Sequence, residues 1–174
     1  TDNIAVTPVS ENMGQNYHIS KEELGTGTIR EKCWKNILAI ETVKQLEKEQ
    51  RQATKEEQNI LADYVGWGGI ADVFDEKKPQ WQEERERIQA ALTLEEYRSA
   101  VGSVLNAHYT QPVLIKAMYQ VLAGLGFTKG RILEPSCGTG NFFGLLPESM
   151  NKSTLYGVEL DQMSAKIAGY LYPE

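Results

Sequence analysis

The chain has 174 residues, two cysteines and a formal net charge of −6, long enough for one cored domain with an accessory part. No apolar stretch approaches the roughly 20 residues that a helix needs to cross a bilayer, so a helical membrane-spanning protein is excluded. Cys33 and Cys137 have no partner spacing, which excludes a disulfide framework or a thiolate metal centre and suits a reducing, cytoplasmic location.

Residues 1–18 are polar and without periodicity, and are expected to be an extended or disordered tail unless they dock on a neighbour. Thr1 to Asn16 has neither a basic start nor an apolar centre and does not read as a targeting leader. Residues 19–107 read as a helical N-terminal region. Thr28 with Glu31, Thr54 with Glu57 and Thr93 with Glu96 each have capping-box spacing and mark three helix starts. Trp34, Ile37, Ile40, Val43 and Leu46 recur at a helical interval, as do Ile60, Leu61, Tyr64 and Val65. The run Gly66-Trp67-Gly68-Gly69 is expected to end the second helix, with the indole closing the helical core rather than stacking on a base. Further helices are predicted over Trp81 to Ala91 and Leu94 to Leu105, and the charge run Glu83-Glu84-Arg85-Glu86-Arg87 reads as a solvated helix face.

From residue 108 the pattern changes. After Pro112, the residues Val113, Leu114, Ala117, Met118, Val121, Leu122 and Leu125 form a one-sided helical stripe, closed by Gly124, Gly126 and the Lys129-Gly130 turn. A strand (Arg131-Ile132-Leu133), a helix over Asn141 to Leu146 stopped by Pro147, a second strand (Leu155-Tyr156-Gly157-Val158) and a helix over Gln162 to Leu171 capped by Asp161 follow. This is an α/β pattern whose two strands are expected to leave open edges, inviting self-association or capping by residues 1–18.

The chemistry gathers where the first strand ends. Glu134-Pro135-Ser136-Cys137-Gly138-Thr139-Gly140-Asn141-Phe142 is an acid followed by a glycine-rich turn, and Glu159 follows the second strand about where a ribose-binding carboxylate sits in a nucleotide-type βαβ unit. Gly138 and Gly140 allow a positive φ and a close approach of backbone to a ligand. Glu159 is expected to accept both hydroxyls of a ribose. A dinucleotide site would need a third glycine at position 143, which is Phe143. With an acid opening the loop and no glycine for a pyrophosphate, a phosphate-free cofactor with a cationic amino-acid end, S-adenosylmethionine, fits better. Cys137 reads as a small packing residue, since nothing nearby in sequence would lower its pKa.

These residues resemble the N6-adenine DNA methyltransferases. In that family the loop after the first strand reads acid-Pro-x-x-Gly-x-Gly-x-Phe, matched from Glu134 to Phe142, and the second strand ends in Gly-x-Glu-hydrophobic-Asp, matched by Gly157-Val158-Glu159-Leu160-Asp161. A Tyr/Phe-Thr-Pro signature upstream corresponds to Tyr109-Thr110-Gln111-Pro112, with Gln111 inserted. The resemblance implies the first βαβα part of a Rossmann-like S-adenosylmethionine-dependent domain over residues 108–174. It implies a cofactor site formed by Tyr109, Thr110, Glu134, Pro135, Ser136, Cys137, Gly138, Gly140, Asn141, Phe142, Glu159 and Leu160. In it Thr110 would meet the methionine end, Glu134 the amino group, Glu159 the ribose and Leu160 the adenine. His108, beside the signature, is expected to serve helix-end packing ahead of ligand contact.

Segments such as Leu61-Ala62-Asp63-Tyr64-Val65-Gly66-Trp67-Gly68-Gly69 are similar to the front of large methylase-helicase proteins of phages, plasmids and conjugative elements. That similarity makes a helicase portion of the same polypeptide an expected partner. The family's catalytic Asn/Asp/Ser-Pro-Pro-Tyr/Phe motif has no counterpart, because the sequence contains no Pro-Pro pair. The expectation is a piece of a longer protein that carries the cofactor half-site without the chemistry. Residues 1–105 hold 13 Lys/Arg and 19 Asp/Glu against five of each in residues 106–174, so this acidic front is not expected to grip DNA, which would bind through a C-terminal part. A docking module for a helicase, and a methyltransferase acting on protein or a small molecule, are the alternative readings.

Overall fold

The structure, a computed structural model, describes residues 14–20, 25–105 and 109–173. It is mixed α/β, mostly helical, with a two-stranded parallel sheet. The helices are α1 (Ile29–Glu49), α2 (Lys55–Ala62), α3 (Gln82–Ala91), α4 (Leu94–Ser103), α5 (Pro112–Gly124), α6 (Asn141–Gly144) and α7 (Gln162–Leu171); the strands are β1 (Arg131–Glu134) and β2 (Thr154–Gly157). Among the described residues no helix is long and apolar enough to cross a membrane.

All three capping boxes form, and they start α1, α2 and α4. At each, a threonine hydroxyl accepts an N–H of the first turn and a glutamate carboxylate accepts the threonine N–H, satisfying two donors that a helix start leaves open. The apolar interval of α1 buries Ile37, Ile40, Val43 and Leu46, together with Cys33, whose thiol burial pushes up to about 12.

Two expectations for the helical region are corrected. The second helix ends at Ala62, short of the glycines. The buried Asn36 side chain accepts the Val65 N–H (2.9 Å) and donates to the Gly66 carbonyl (2.6 Å), giving that backbone partners outside any helix. Trp67 is fully buried, edge-on to Tyr64 and Phe74, as the sequence suggests. The charge run is not a uniformly solvated face either. Glu84 is 2% exposed and pairs with Arg30 (3.2 Å), while buried Arg85 donates to the carbonyls of Val73 and Asp75. With Ile88 the principal buried apolar residue of α3, its inner face turns inward charged groups that are tolerated because they are partnered.

α7 packs on α1, α2 and α4, so the helix after β2 belongs to the same core as the helical region. Glu96 is the polar joint. It is 5% exposed, receives Lys44 Nζ (2.5 Å) from α1 and Lys166 Nζ (2.8 Å) from α7, and also accepts the Thr93 N–H.

β1 and β2 pair in parallel register from Arg131↔Thr154 to Glu134↔Gly157. α6 is two residues shorter than expected: the Leu146 N–H bonds the Phe143 carbonyl (3.2 Å) instead of that of Phe142, which accepts from Tyr119. The Gly144 carbonyl accepts the Ile19 N–H (2.9 Å), and a Cβ on Gly144 would run into Ile19 and Tyr172. The Tyr17 N–H donates to Leu171 O (2.7 Å), and Tyr17 and Ile19 are buried. The described part of the tail therefore docks across the ends of α6 and α7 instead of capping a strand edge; residues 1–13 lie outside the described residues. The α5 stripe is turned outward. Ile115 and Tyr119 are its buried residues, with the Tyr119 hydroxyl donating to Phe142 O, whereas Val113, Leu114, Met118, Val121 and Leu125 are exposed. Leu133, Tyr156 and Val158 at the sheet are exposed too.

Glu96 also sets an acid dependence. Burial raises its pKa, but the Lys166, Lys44 and Thr93 hydrogen bonds outweigh this and hold it at about 2, below the ordinary 4.5. The stability it contributes is thus complete above pH ~4.5 and lost as pH falls through ~2. Glu96→Gln is expected to cost about 2 kcal/mol at pH 7 and to narrow the loss of stability between pH 7 and pH 3. Urea denaturation at both pH values checks this, and equal acid sensitivity of variant and wild type would refute it.

Candidate ligand site

The site is built where β1 and β2 end side by side. Past β1 the chain turns through Gly138 (φ +55°) and Gly140 (φ +87°), a backbone that L side chains rarely adopt. The Cys137 N–H donates to Val158 O (3.0 Å) and the Gly140 N–H to Cys137 O (2.8 Å), pinning the loop to the residue after β2.

Glu159 faces this loop. Its Oε2 accepts the Gly138 N–H (2.7 Å), and its Oε1 accepts the N–H groups of Leu160 (2.8 Å) and Asp161 (2.9 Å). An ionised carboxylate has about four acceptor positions, so three are used internally. One acceptor position of the carboxylate remains beyond these three.

Behind the loop lies Tyr109. A Cβ on Gly138 would come within 2.8 Å of its ring. The Tyr109 hydroxyl and Ser164 Oγ are 3.2 Å apart, Ser164 Oγ donates to Asp161 Oδ2 (2.7 Å), and Ser99 Oγ from α4 donates to Asp161 Oδ1 (3.0 Å). Asp161 also caps α7 by accepting the Ser164 N–H (2.9 Å). Glycine loop, carboxylate, helix cap and tyrosine thus form a closed circuit. Burial pushes the Tyr109 phenol up, and it stays neutral.

These elements enclose one side of a cavity of about 670 Å³, within the size range of small-molecule sites. Tyr109, Thr110, Glu134, Pro135, Ser136, Cys137, Gly138, Asn141, Phe142, Glu159 and Leu160 line it, so the structure brings together these sequence-derived candidates. Leu160 is 95% exposed. Gly140 is the exception. It is absent from the lining, and its missing side chain leaves room for the rings of Tyr172 and Phe143. The tight approach there is internal packing and not ligand contact. Glu134 is half-buried, and its pKa is raised by burial, opposed by the Ser136 backbone N–H. Cys137 is held as a thiol by burial and by the nearby Glu159 charge, and a Cβ on Gly157 would meet its Sγ at 2.9 Å, which makes it a packing residue. His108 lies outside the described residues.

One part of the lining was not legible from sequence. It consists of Gly66, and of Ser99, Gly102 and Ser103 on α4, with Val158, Asp161 and Ser164 filling in between. Small residues at helical spacing on α4 were the available signal, and they have no chemical signature of their own. Among the described residues no Lys, Arg or His lines the cavity, while Glu134, Glu159 and Asp161 do. That electrostatic balance disfavours phosphates and suits a neutral or cationic ligand. Among the described residues no cluster of His, Cys, Asp or Glu suits a metal ion. Comparison with protein-family models, with curated proteins and with solved structures finds no match for this chain.

Gly140→Ala is expected to destabilise the fold more than Gly138→Ala. Both place a side chain at positive φ, at about 1–2 kcal/mol each, and both methyls meet an aromatic ring, but the Gly140 methyl runs further into the Tyr172 ring than the Gly138 methyl into that of Tyr109. Thermal denaturation of the two variants decides the order; the reverse order would show that the loop is more tightly packed at Tyr109.

Proposed function

We propose that this chain carries the S-adenosylmethionine half-site of an N6-adenine DNA methyltransferase, within the opening βαβα part of a Rossmann-like domain. The observation that carries this reading is the Glu159 carboxylate bonded to the Gly138 N–H beside a cavity lined from both strand ends. A nucleoside with a cationic amino-acid arm fits such a donor set. Glu159 holds the ribose, Leu160 and Phe142 offer apolar surface to the base, and Glu134 and Thr110 receive the amino-acid end. The three carboxylates that line the cavity, Glu134, Glu159 and Asp161, favour a sulfonium cofactor over a dinucleotide. When bound, that cofactor supplies an electrophilic methyl group.

The chain's own residues bind, orient and partly shield that ligand. No Pro-Pro pair is present to activate an exocyclic amine, so methyl transfer is assigned to a region other than this chain. The outward faces of α5 and of the sheet, with Val113, Val121, Leu133 and Tyr156 exposed, are the surface on which further layers of such a domain would pack. DNA contacts are assigned elsewhere as well, given the acidic balance of residues 1–105.

Calorimetric titration with S-adenosylmethionine tests the reading. Wild type is expected to bind, and Glu159→Gln to bind about tenfold more weakly, the loss of one hydrogen bond to a charged acceptor. Equal affinities would remove the ribose assignment. Incubation with DNA and methyl-labelled cofactor is expected to leave the DNA unlabelled; incorporation would place the catalytic groups in this chain.

A further inference from the structure

We propose that Gly102 of α4 is a specificity-determining position of the cavity, the point where the helical region meets the bound nucleoside and limits the size of group that fits. The inference rests on the cofactor reading above and extends the site to a wall that the cofactor motifs do not contain.

Ser99, Gly102 and Ser103 present one face of α4 to the cavity. This face is held in place. Ser99 Oγ donates to Asp161 Oδ1 (3.0 Å), Gln162 Nε2 donates to Glu95 Oε1 (3.0 Å), and Lys166 Nζ reaches Glu96 (2.8 Å). α4 is therefore tied to the segment that bears Glu159, two residues before Asp161. That connection puts the wall beside the nucleoside end of the ligand rather than the methionine end.

Gly102 differs from the other glycines of the site. Gly138 and Gly140 have positive φ and make room for the chain's own aromatic rings, and Gly66 has φ +67°. Gly102 sits inside a helix, where glycine is less favourable than alanine. A Cβ built on it meets no heavy atom within 4 Å. Gly102 is exposed and belongs to the cavity lining, so a side chain there would project into open space beside the cavity, where it limits what can approach. The Ser99 and Ser103 hydroxyls donate to Asp161 Oδ1 (3.0 Å) and the Ala100 carbonyl (2.8 Å), so this wall offers a ligand their acceptor lone pairs and the bare backbone of Gly102.

The test uses the full chain with Gly102→Ala, Gly102→Leu and, as a control, Gly169→Leu. Gly169 is an exposed glycine of α7 that also has open space around it and lies outside the cavity lining. Each protein is titrated with S-adenosylmethionine and with adenosine, with thermal denaturation alongside. Gly102→Leu is expected to weaken both ligands by about tenfold or more, Gly102→Ala by less, and Gly169→Leu not at all. The melting temperature of Gly102→Ala should equal or exceed that of wild type, which separates a blocked site from a damaged fold. Unchanged affinity of Gly102→Leu for both ligands overturns the inference and leaves the cofactor reading standing. Weakening of S-adenosylmethionine alone would put the methionine end against α4 and overturn the nucleoside placement. Wild type that binds neither ligand overturns the cofactor reading and this inference with it.

Discussion

The Glu159 carboxylate, accepting N–H groups from Gly138, Leu160 and Asp161, is the interaction on which the site depends. Hydrogen bonds to a charged acceptor are each worth roughly twice a neutral one; the Gly138 bond links the segments that leave β1 and β2, and the other two order Glu159's own turn. The loop after β1 is positioned by an acid after β2, and the same acid orders the turn that leads into α7. The site is therefore organised before any ligand arrives. The acceptor capacity left to Glu159 is small.

A second constraint joins this loop system to the helical region. α7 emerges from the Glu159 turn, is capped by Asp161, and delivers Lys166 to Glu96 on α4, where Lys44 of α1 also converges. A carboxylate that is 5% exposed is tolerable only with such partners. The helical region and α7 consequently share one core. The contact between Ser99 and Asp161 makes α4 a wall of the cavity, and the docked residues Tyr17 and Ile19 close the far ends of α6 and α7.

Much of the local structure was legible because its causes are local. Three threonine–glutamate pairs marked helix starts through bonds made within one turn, and the two strands and the α7 cap followed from apolar runs and a single aspartate. Positive φ at Gly138 and Gly140 was likewise foreseen from residue type. The errors share a different cause. Glu84 and Arg85 looked solvated because their partners, Arg30 and the carbonyls of Val73 and Asp75, are remote in sequence or irregular in structure. The early end of α2 depends on Asn36, about thirty residues away. The α5 stripe reads as a core face by periodicity, yet periodicity alone does not say whether a neighbour covers it, and here Ile115 and Tyr119 do the packing.

By itself the sequence determined which residue types gather at the strand ends, because a glycine turn and an acid are written contiguously and obey short-range geometry. Only the tertiary structure decided which of those residues face a common space. Gly140 turned out to serve the packing of Tyr172, Glu159 to be engaged mostly by backbone, and α4 to supply a wall with no signature of its own. The physical reason is that a cavity is a property of the gaps between elements, and gaps are set by long-range packing and charge pairing that no local pattern encodes.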